Sequence, residues 1–210
     1  MPGFAAAVEE FAHGLELERY TLLGHSFGAR VALQHAIDFP GRARRLVASS
    51  GVAHPGAFDQ AEQNLTAFQP EQLRERILAA FQAEDAAETP EQCRESWADQ
   101  LWFFVGDPLG PARDEIVSAW RDVAYRPDAV RGFDFGSADD LRPRLGEIAV
   151  PTLVVTGGRD LITPPEASAE IAAGIPGSQL RLIEGAGHFA FAETPAAYFS
   201  VLERWLAGTA

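Results

Sequence analysis

The sequence has no lysine and only one cysteine among its 210 residues. All 17 basic residues are arginine, and 30 acidic residues outnumber them, which gives a formal net charge of −13. A surface of this sign repels phosphate backbones, so a nucleic-acid partner is not expected. The single cysteine, Cys93, excludes an intramolecular disulfide and a cysteine-based metal site. Sparse cysteine usage favours a reducing compartment, and we predict a cytoplasmic protein.

Long hydrophobic runs are also missing. No stretch approaches the roughly 18 uncharged apolar residues that a membrane-spanning helix needs. The first twenty residues carry four glutamates and no basic start, unlike a secretory signal, so neither membrane insertion nor export is expected. With 47% hydrophobic and 22% charged residues, the composition excludes disordered, collagen-like and coiled-coil chains.

The order of the segments indicates an α/β protein. Residues 1–52 and 141–210 alternate helix-like and strand-like stretches, which predicts a mostly parallel sheet flanked by helices. Residues 53–140 contain helical patterns separated by Pro- and Gly-rich turns and hold many of the aromatic residues. We therefore predict a core made of 1–52 and 141–210 and a helical insertion, or cap, made of 53–140.

Local patterns predict several individual elements. Apolar residues at positions 4, 8, 11 and 15 form one face of a first helix, and a second helix is expected over 27–38. Short strands are expected at 20–23, 46–48, 150–155 and 180–183. In the insertion, helices are expected after Pro70, after an N-cap at Thr89, and over 109–125. Two more are expected, one that starts within residues 163–166 and ends at Gly174, and one after Thr194.

Residues 23–28 (LGHSFG) are the most informative stretch. They fit the Gly-x-Ser-x-Gly pattern directly between a predicted strand and a predicted helix, the context of a nucleophile elbow. Such a turn strains the serine and exposes its hydroxyl, so Ser26 is the candidate nucleophile. Gly24 and Gly28 are both expected to avoid clashes with neighbouring backbone. The Phe27 amide, at the start of the helix, is the candidate oxyanion-hole donor.

A serine nucleophile needs a base, and His188 is the strongest candidate. It lies in a Gly-rich loop after the last predicted strand, and loops after parallel strands meet at one edge of the sheet. His54 is the only other contender. His25 is expected to be structural, whereas His13 and His35 lie on predicted helices and are expected to be solvated.

The imidazole in turn needs a carboxylate that fixes its tautomer. Asp160 follows the strand predicted at 150–155, so it should reach the same edge of the sheet. The order is then Ser26, Asp160 and His188, the nucleophile–acid–base order typical of this elbow. Alternatively, Asp160 is simply a turn residue, since Gly-Gly-x-Asp favours turns.

These motifs resemble the α/β-hydrolase superfamily, in the branch that includes prolyl iminopeptidases. Residues 24–28 (GHSFG) match its elbow, 151–160 (PTLVVTGGRD) match its acid-bearing strand, and 185–189 (GAGHF) with 193–195 (ETP) match its base-bearing loop. The resemblance implies an α/β-hydrolase fold with a helical cap and a Ser-His-Asp triad that uses neither metal nor organic cofactor.

The sequence departs from this family at its beginning. Only 25 residues precede Ser26, where the family usually has several strands and a His-Gly loop that supplies a second oxyanion donor. We therefore expect an N-terminally truncated form of the fold. In the family's strand order, residues 20–23 would form an exposed edge, and such an edge invites pairing with a second copy. A homodimer through this edge is one explanation of the departure; the others are a fragment of a longer gene product and a degenerate relative that folds without catalysing.

Two functions follow from these observations. The first is a serine hydrolase that cleaves a small ester or amide through an acyl-enzyme, its partner being a small acyl substrate. A prolyl aminopeptidase is the sharpest version, in which insertion carboxylates hold the substrate's amine; the candidates are Glu84, Asp85, Glu88, Glu91 and Glu95. Haloperoxidases and carbon–carbon bond hydrolases use a similar triad. The second function is that of a truncated, non-catalytic or partner-dependent remnant.

Overall fold

The structure is a computed structural model that describes residues 2–127 and 139–208. The strands are β1 (Tyr20–His25), β2 (Ala43–Ser49), β3 (Thr152–Gly157) and β4 (Gln179–Ile183). The helices are α1 (Pro2–Gly14), α2 (Phe27–Asp38), α3 (Phe58–Thr66), α4 (Glu71–Asp85), α5 (Pro90–Phe104), α6 (Ala112–Ala119), α7 (Pro165–Gly174), α8 (Ala190–Glu193) and α9 (Pro195–Ala207). Short 3-10 helices span Pro55–Ala57 and Arg142–Glu147.

The four strands form one parallel sheet in the order β1-β2-β3-β4. The predicted strands, their parallel arrangement and the second helix at 27–38 are confirmed. Every residue of β3 is buried, whereas β1 and β4 are the two outer strands of the described sheet. Because all strands run the same way, the loops after β1, β3 and β4 reach one edge, which is where the candidate residues lie.

Helices cover both faces of the sheet. Successive residues of a strand point to opposite faces, so Leu46 packs with Leu33 and Ile171 from α2 and α7. Its neighbour Val47 packs on the other side with Tyr198 and Trp205 from α9. The core therefore consists of two apolar layers with the sheet between them.

Helix α1 forms but ends at Gly14, before Leu15, and its predicted apolar face is largely exposed. Phe4, Phe11 and Leu15 are 48%, 68% and 55% exposed, whereas Ala5 and Ala12 are buried. The helix contacts α2 closely, and small alanine side chains permit such an approach. The large apolar side chains of α1 are consequently left on the surface.

A polar cluster ties α1 to the sheet. The Tyr20 hydroxyl lies 2.8 Å from His35 Nε2 and donates to Glu9 Oε2 at 3.1 Å, and Arg42 pairs with the same glutamate. Burial and the nearby Glu9 carboxylate raise the pKa of Tyr20 to about 12. The expectation that His35 is solvated is wrong: it is fully buried, because its helix face lies beneath α1.

The helical insertion contains α3 to α6. The predicted N-cap is confirmed, since Thr89 Oγ1 accepts from the Gln92 amide at 3.2 Å and the Gln92 side chain accepts from the Thr89 amide at 3.1 Å. The helix predicted over 109–125 is shorter and spans Ala112–Ala119. Residues 128–138 of the insertion lie outside the described residues, and the division into core and cap stays a prediction.

Candidate active site

The turn between β1 and α2 presents Ser26. Its backbone has φ 54° and ψ −119°, a region that side-chain-bearing residues rarely adopt. The Ser26 amide donates to the Ser49 carbonyl at 2.8 Å, which fixes the turn against the end of β2. Ser26 is partly exposed. Strain at a partly exposed serine is the property expected of a nucleophile elbow.

The glycines of this turn do not all have the predicted role. A Cβ at Gly24 would lie 2.0 Å from the Gly28 carbonyl oxygen, so the expected clash is confirmed there. The same expectation is wrong for Gly28, because a Cβ would meet no described atom within 4 Å. A close approach that the sequence analysis missed occurs at Gly51, whose Cβ would lie 2.6 Å from Ala29 Cβ.

The loops after β3 and β4 bring Asp160 and His188 together. His188 Nδ1 donates to Asp160 Oδ2 at 2.8 Å, and both residues are 1% exposed. The other carboxylate oxygen accepts from the amides of Ile162 and Thr163 at 3.0 and 2.9 Å. Burial opposes ionisation, but the His188 charge and these hydrogen bonds outweigh it, so the pKa of Asp160 lies below its usual value.

Thr163 is a site residue that the sequence analysis missed. Its hydroxyl lies 2.8 Å from Asp160 Oδ2, 3.0 Å from the Ser50 carbonyl and 3.2 Å from His188 Nδ1. The side chain is buried and joins the acid to the end of β2. The available signal was the three-residue spacing from Asp160, which allows a carboxylate to accept the later residue's amide.

The base loop packs on the elbow through His25. The His25 and His188 ring centroids are 4.8 Å apart, and His25 Nδ1 lies 3.4 Å from Ser49 Oγ, which accepts from the Tyr198 hydroxyl. Burial and the neighbouring His188 lower the pKa of His25 to about 3. A neutral, packed ring fits the predicted structural role of His25.

The alternative base, His54, lies elsewhere. Its Nε2 is 3.2 Å from Glu170 Oε2. It lines a cavity of about 610 Å³ together with Gln60, Asp160 and Glu170. The described lining of this cavity does not include Ser26 or His188. The imidazole that reaches Asp160 is therefore that of His188.

Aromatic side chains surround the base. The Phe104 ring meets the His188 ring edge-on at 5.5 Å and stacks on Phe189 at the same distance. Trp97 and Trp120 extend this cluster, 5.3 Å from Phe104 and 5.0 Å from Phe189. A backbone hydrogen bond also links the base loop to this cluster, since the His188 amide donates to the Phe104 carbonyl at 2.7 Å. The insertion thus packs the buried Phe104 against the candidate base, with the half-buried Trp97 and Trp120 next to it.

Comparison with known proteins agrees with this architecture. The family model described as alpha/beta hydrolase fold matches residues 2–195. The chain belongs to this family. The crystal structure of a hydrolase from Pseudomonas aeruginosa PA01 is 28% identical with a TM-score of 0.69, over 96% of this chain and 70% of that one.

Two other hydrolase-fold relatives carry more specific names. A 2-hydroxy-6-oxo-6-phenylhexa-2,4-dienoate hydrolase from Burkholderia cepacia is 26% identical over 193 residues, covering 89% of this chain. The chain spans 62% of that relative's length. Proline iminopeptidase from Mycobacterium smegmatis is 20% identical with a TM-score of 0.69, over 100% of this chain and 72% of that one, and shows the fold alone.

The described residues form neither a metal-binding cluster nor a membrane-spanning helix. Neither segment, 2–127 or 139–208, contains three or more His, Cys, Asp or Glu residues placed to hold a metal ion. Within the same ranges, no helix combines the length and the apolar character needed to cross a bilayer.

Proposed function

We propose that this chain is a serine hydrolase that cleaves a small ester or amide. The supporting observation is the buried 2.8 Å hydrogen bond between His188 and Asp160 beside the strained turn that presents Ser26. Both members of the pair lie on loops that end at the same sheet edge as Ser26, so three separate strands contribute to one site.

In the proposed reaction, Ser26 Oγ attacks the substrate carbonyl carbon while His188 Nε2 takes the hydroxyl proton. Asp160 keeps the other proton on Nδ1 and stabilises the imidazolium. The Phe27 amide, at the N-terminus of α2, binds the oxyanion of the tetrahedral intermediate. His188 then returns the proton to the leaving oxygen or nitrogen as the acyl-enzyme forms. Water, deprotonated by His188, attacks the acyl carbon; the ester bond to Ser26 Oγ breaks, the acid is released, and His188 returns the proton to Ser26 Oγ.

The aromatic cluster favours an apolar group on the substrate. Phe104 and Phe189 border His188 directly, and Trp97 lies behind them. An aryl group could pack there at little desolvation cost. The Burkholderia cepacia relative is named for a phenyl-bearing dienoate. An aryl ester is accordingly the first substrate class to test, and a carbon–carbon cleavage substrate of the dienoate type is the second.

The aminopeptidase version has weaker support from the candidate carboxylates. Glu84 accepts from Gln100 Nε2 at 2.8 Å, and Glu88, Glu91 and Glu95 are exposed. Glu91 precedes Phe104 by thirteen residues on α5, about 20 Å at 1.5 Å per residue. A carboxylate that far from His188 along the helix is poorly placed to hold an amine at the scissile bond. We therefore favour the esterase version.

The test is labelling with a fluorophosphonate probe, followed by mass mapping of the modified peptide. We expect the probe on Ser26, no labelling in Ser26→Ala, and a rate at least about 100-fold lower in His188→Ala, since the base activates the hydroxyl. Circular dichroism should show that both variants are folded. A folded parent chain that does not react would contradict the proposal and favour the non-catalytic alternative. Aryl esters and aminoacyl arylamides would then separate the two hydrolase versions.

A further inference from the structure

One carboxylate gathers three backbone amides around the base loop. Glu193 accepts from the Gly187 amide at 3.0 Å, from the Phe189 amide at 3.2 Å and from the Gly106 amide at 2.7 Å. The first two amides flank His188 in the chain, and the third comes from the segment after α5. Burial raises the pKa of Glu193, although the amide donors act in the opposite direction.

The two segments that Glu193 joins are in backbone-to-backbone contact. A Cβ at Gly187 would lie 2.4 Å from the Phe104 carbonyl oxygen, and a Cβ at Gly106 would lie 2.2 Å from the Gly185 carbonyl oxygen. The His188 amide donates to Phe104 across the same contact. Because no side chain fits between the two backbone segments, the Glu193 carboxylate and the His188–Phe104 hydrogen bond together fix the distance between them.

Converging amides are costly without an acceptor. A buried N–H left unpaired loses its hydrogen bonds to water without replacement, and a charged acceptor forms stronger hydrogen bonds than a neutral one. The hydroxyl and amide groups around Asp160 act on the imidazole ring, whereas Glu193 acts on the backbone that carries it. The ring position therefore depends on two separate carboxylates.

We propose that Glu193 is a positioning residue that holds the His188 backbone, and through it the imidazole, in register with Asp160 and Ser26. The inference rests on the proposed function for its kinetic consequence, but the placement of the ring can be measured without it. Nothing in this role requires Glu193 to contact the substrate.

The experiment compares Glu193→Gln and Glu193→Asp with Glu184→Gln. Glu184 is exposed on the same loop, so its variant makes the same charge change without touching the flanking amides. A glutamine at 193 presents an NH₂ group to at least one of the three donors. An aspartate retains the charge but is one methylene shorter, and it should restore part of the effect.

The first readout is the proton NMR signal of His188 Nδ1–H, identified by its loss in His188→Gln. We expect Glu193→Gln to shift or broaden it, Glu193→Asp to move it less, and Glu184→Gln to leave it unchanged. The second readout is the rate of fluorophosphonate labelling, divided by the folded fraction from thermal unfolding. We expect a fall of about 10-fold or more in Glu193→Gln, a smaller fall in Glu193→Asp, and none in Glu184→Gln.

The outcomes separate the two proposals. If the parent chain is not labelled but the NMR signal responds to Glu193→Gln, the proposed hydrolase activity fails and the positioning role stands. If the parent is labelled and the Glu193 variants keep both the signal and the labelling rate per folded molecule, the positioning role is overturned. Glu193→Asp provides the same comparison if the glutamine variant does not fold.

Discussion

The two sides of the candidate site are held in different ways. On one side, Asp160, Thr163 and His188 are each 1% exposed and bonded to one another. On the other side, Ser26 follows β1, an outer strand that pairs only with β2 among the described residues and leaves Leu23 44% exposed. The acid–base pair is embedded in the protein, whereas the nucleophile turn stands at its margin.

This difference shows that the two sides depend on different forces. The acid and base are fixed by hydrogen bonds from several segments that are distant in the chain, so their geometry is over-determined. The nucleophile turn depends on close packing at Gly24 and Gly51 and on the hydrogen bond from the Ser26 amide to the Ser49 carbonyl. Substitutions around the acid and the base should therefore affect chemistry, whereas substitutions of the residues that support the nucleophile turn, Ser26 itself excepted, should affect folding and association.

The largest effect is expected from Asp160→Asn on the embedded side. Asparagine would still accept the amides of Ile162 and Thr163, but it would offer no carboxylate to hold the Nδ1–H tautomer of His188. Fluorophosphonate labelling should fall about 10³–10⁴-fold while the thermal midpoint changes little. Asp140→Asn, an exposed residue paired with Arg142, is the matched control. Equal labelling of both variants would show that Asp160 is only a turn residue.

A paired glycine test examines the nucleophile turn. Gly24→Ala should destabilise the protein by about 3 kcal/mol or more, because the new Cβ would collide with backbone that cannot move without breaking the start of α2. Gly28→Ala should be neutral or stabilising by up to about 1 kcal/mol, since alanine favours the helix and the space is open. Urea unfolding followed by circular dichroism measures both. Similar losses in the two variants would contradict the steric account.

The pH dependence of the free energy of unfolding should reveal the contact between His25 on the nucleophile side and His188 on the acid–base side. The pKa of His25 is lowered from 6.5 to about 3 in the folded state, so between these values only the unfolded chain binds its proton. Stability therefore falls as pH falls through this window, by up to about 1.4 kcal/mol per unit. The difference between the parent and His25→Gln isolates this contribution. If the difference in unfolding free energy between the parent and His25→Gln does not change from pH 6.5 to 4, the lowered pKa of His25 makes no such contribution.

The smallest effect concerns the two outer strands. We propose that two copies associate through β1, an outer strand of the described sheet on which Leu23 is 44% exposed. Light scattering should give a mass near twice 22.7 kDa at high concentration. Leu23→Lys should reduce that mass, whereas Leu182→Lys, at a residue 53% exposed on the opposite outer strand, should not. A monomeric parent at all concentrations would remove the homodimer proposal.

Local patterns predicted much of this fold. The Gly-x-Ser-x-Gly turn lies between a strand and a helix as its sequence indicates, and Thr89 caps α5 because its hydroxyl and Gln92 are neighbours along the chain. The parallel-strand rule also anticipated that residues after β3 and β4 would converge. The distance between Asp160 and His188 agrees with that rule, while their catalytic roles stay predictions.

Features that depend on distant neighbours were not predictable in the same way. Periodicity placed an apolar face on α1, but which face is buried depends on what lies above and below the helix. The burial of His35 depends on a tyrosine and a glutamate from other elements. The role of Thr163 depends on Ser50, more than one hundred residues earlier in the chain. Such contacts leave little trace in a single sequence.

The hydrogen bond between the His188 amide and the Phe104 carbonyl also attaches the C-terminal end of α5 to the loop that carries the base. When a rigid helix tilts about one attached end, that end moves least and the opposite end moves most. Helix α5 is fastened at Phe104, and its first turn at Thr89 lies about 22 Å away along the axis. A tilt of α5 about this attachment would displace Thr89 far more than Phe104, and the backbone that carries the His188 imidazole would move least.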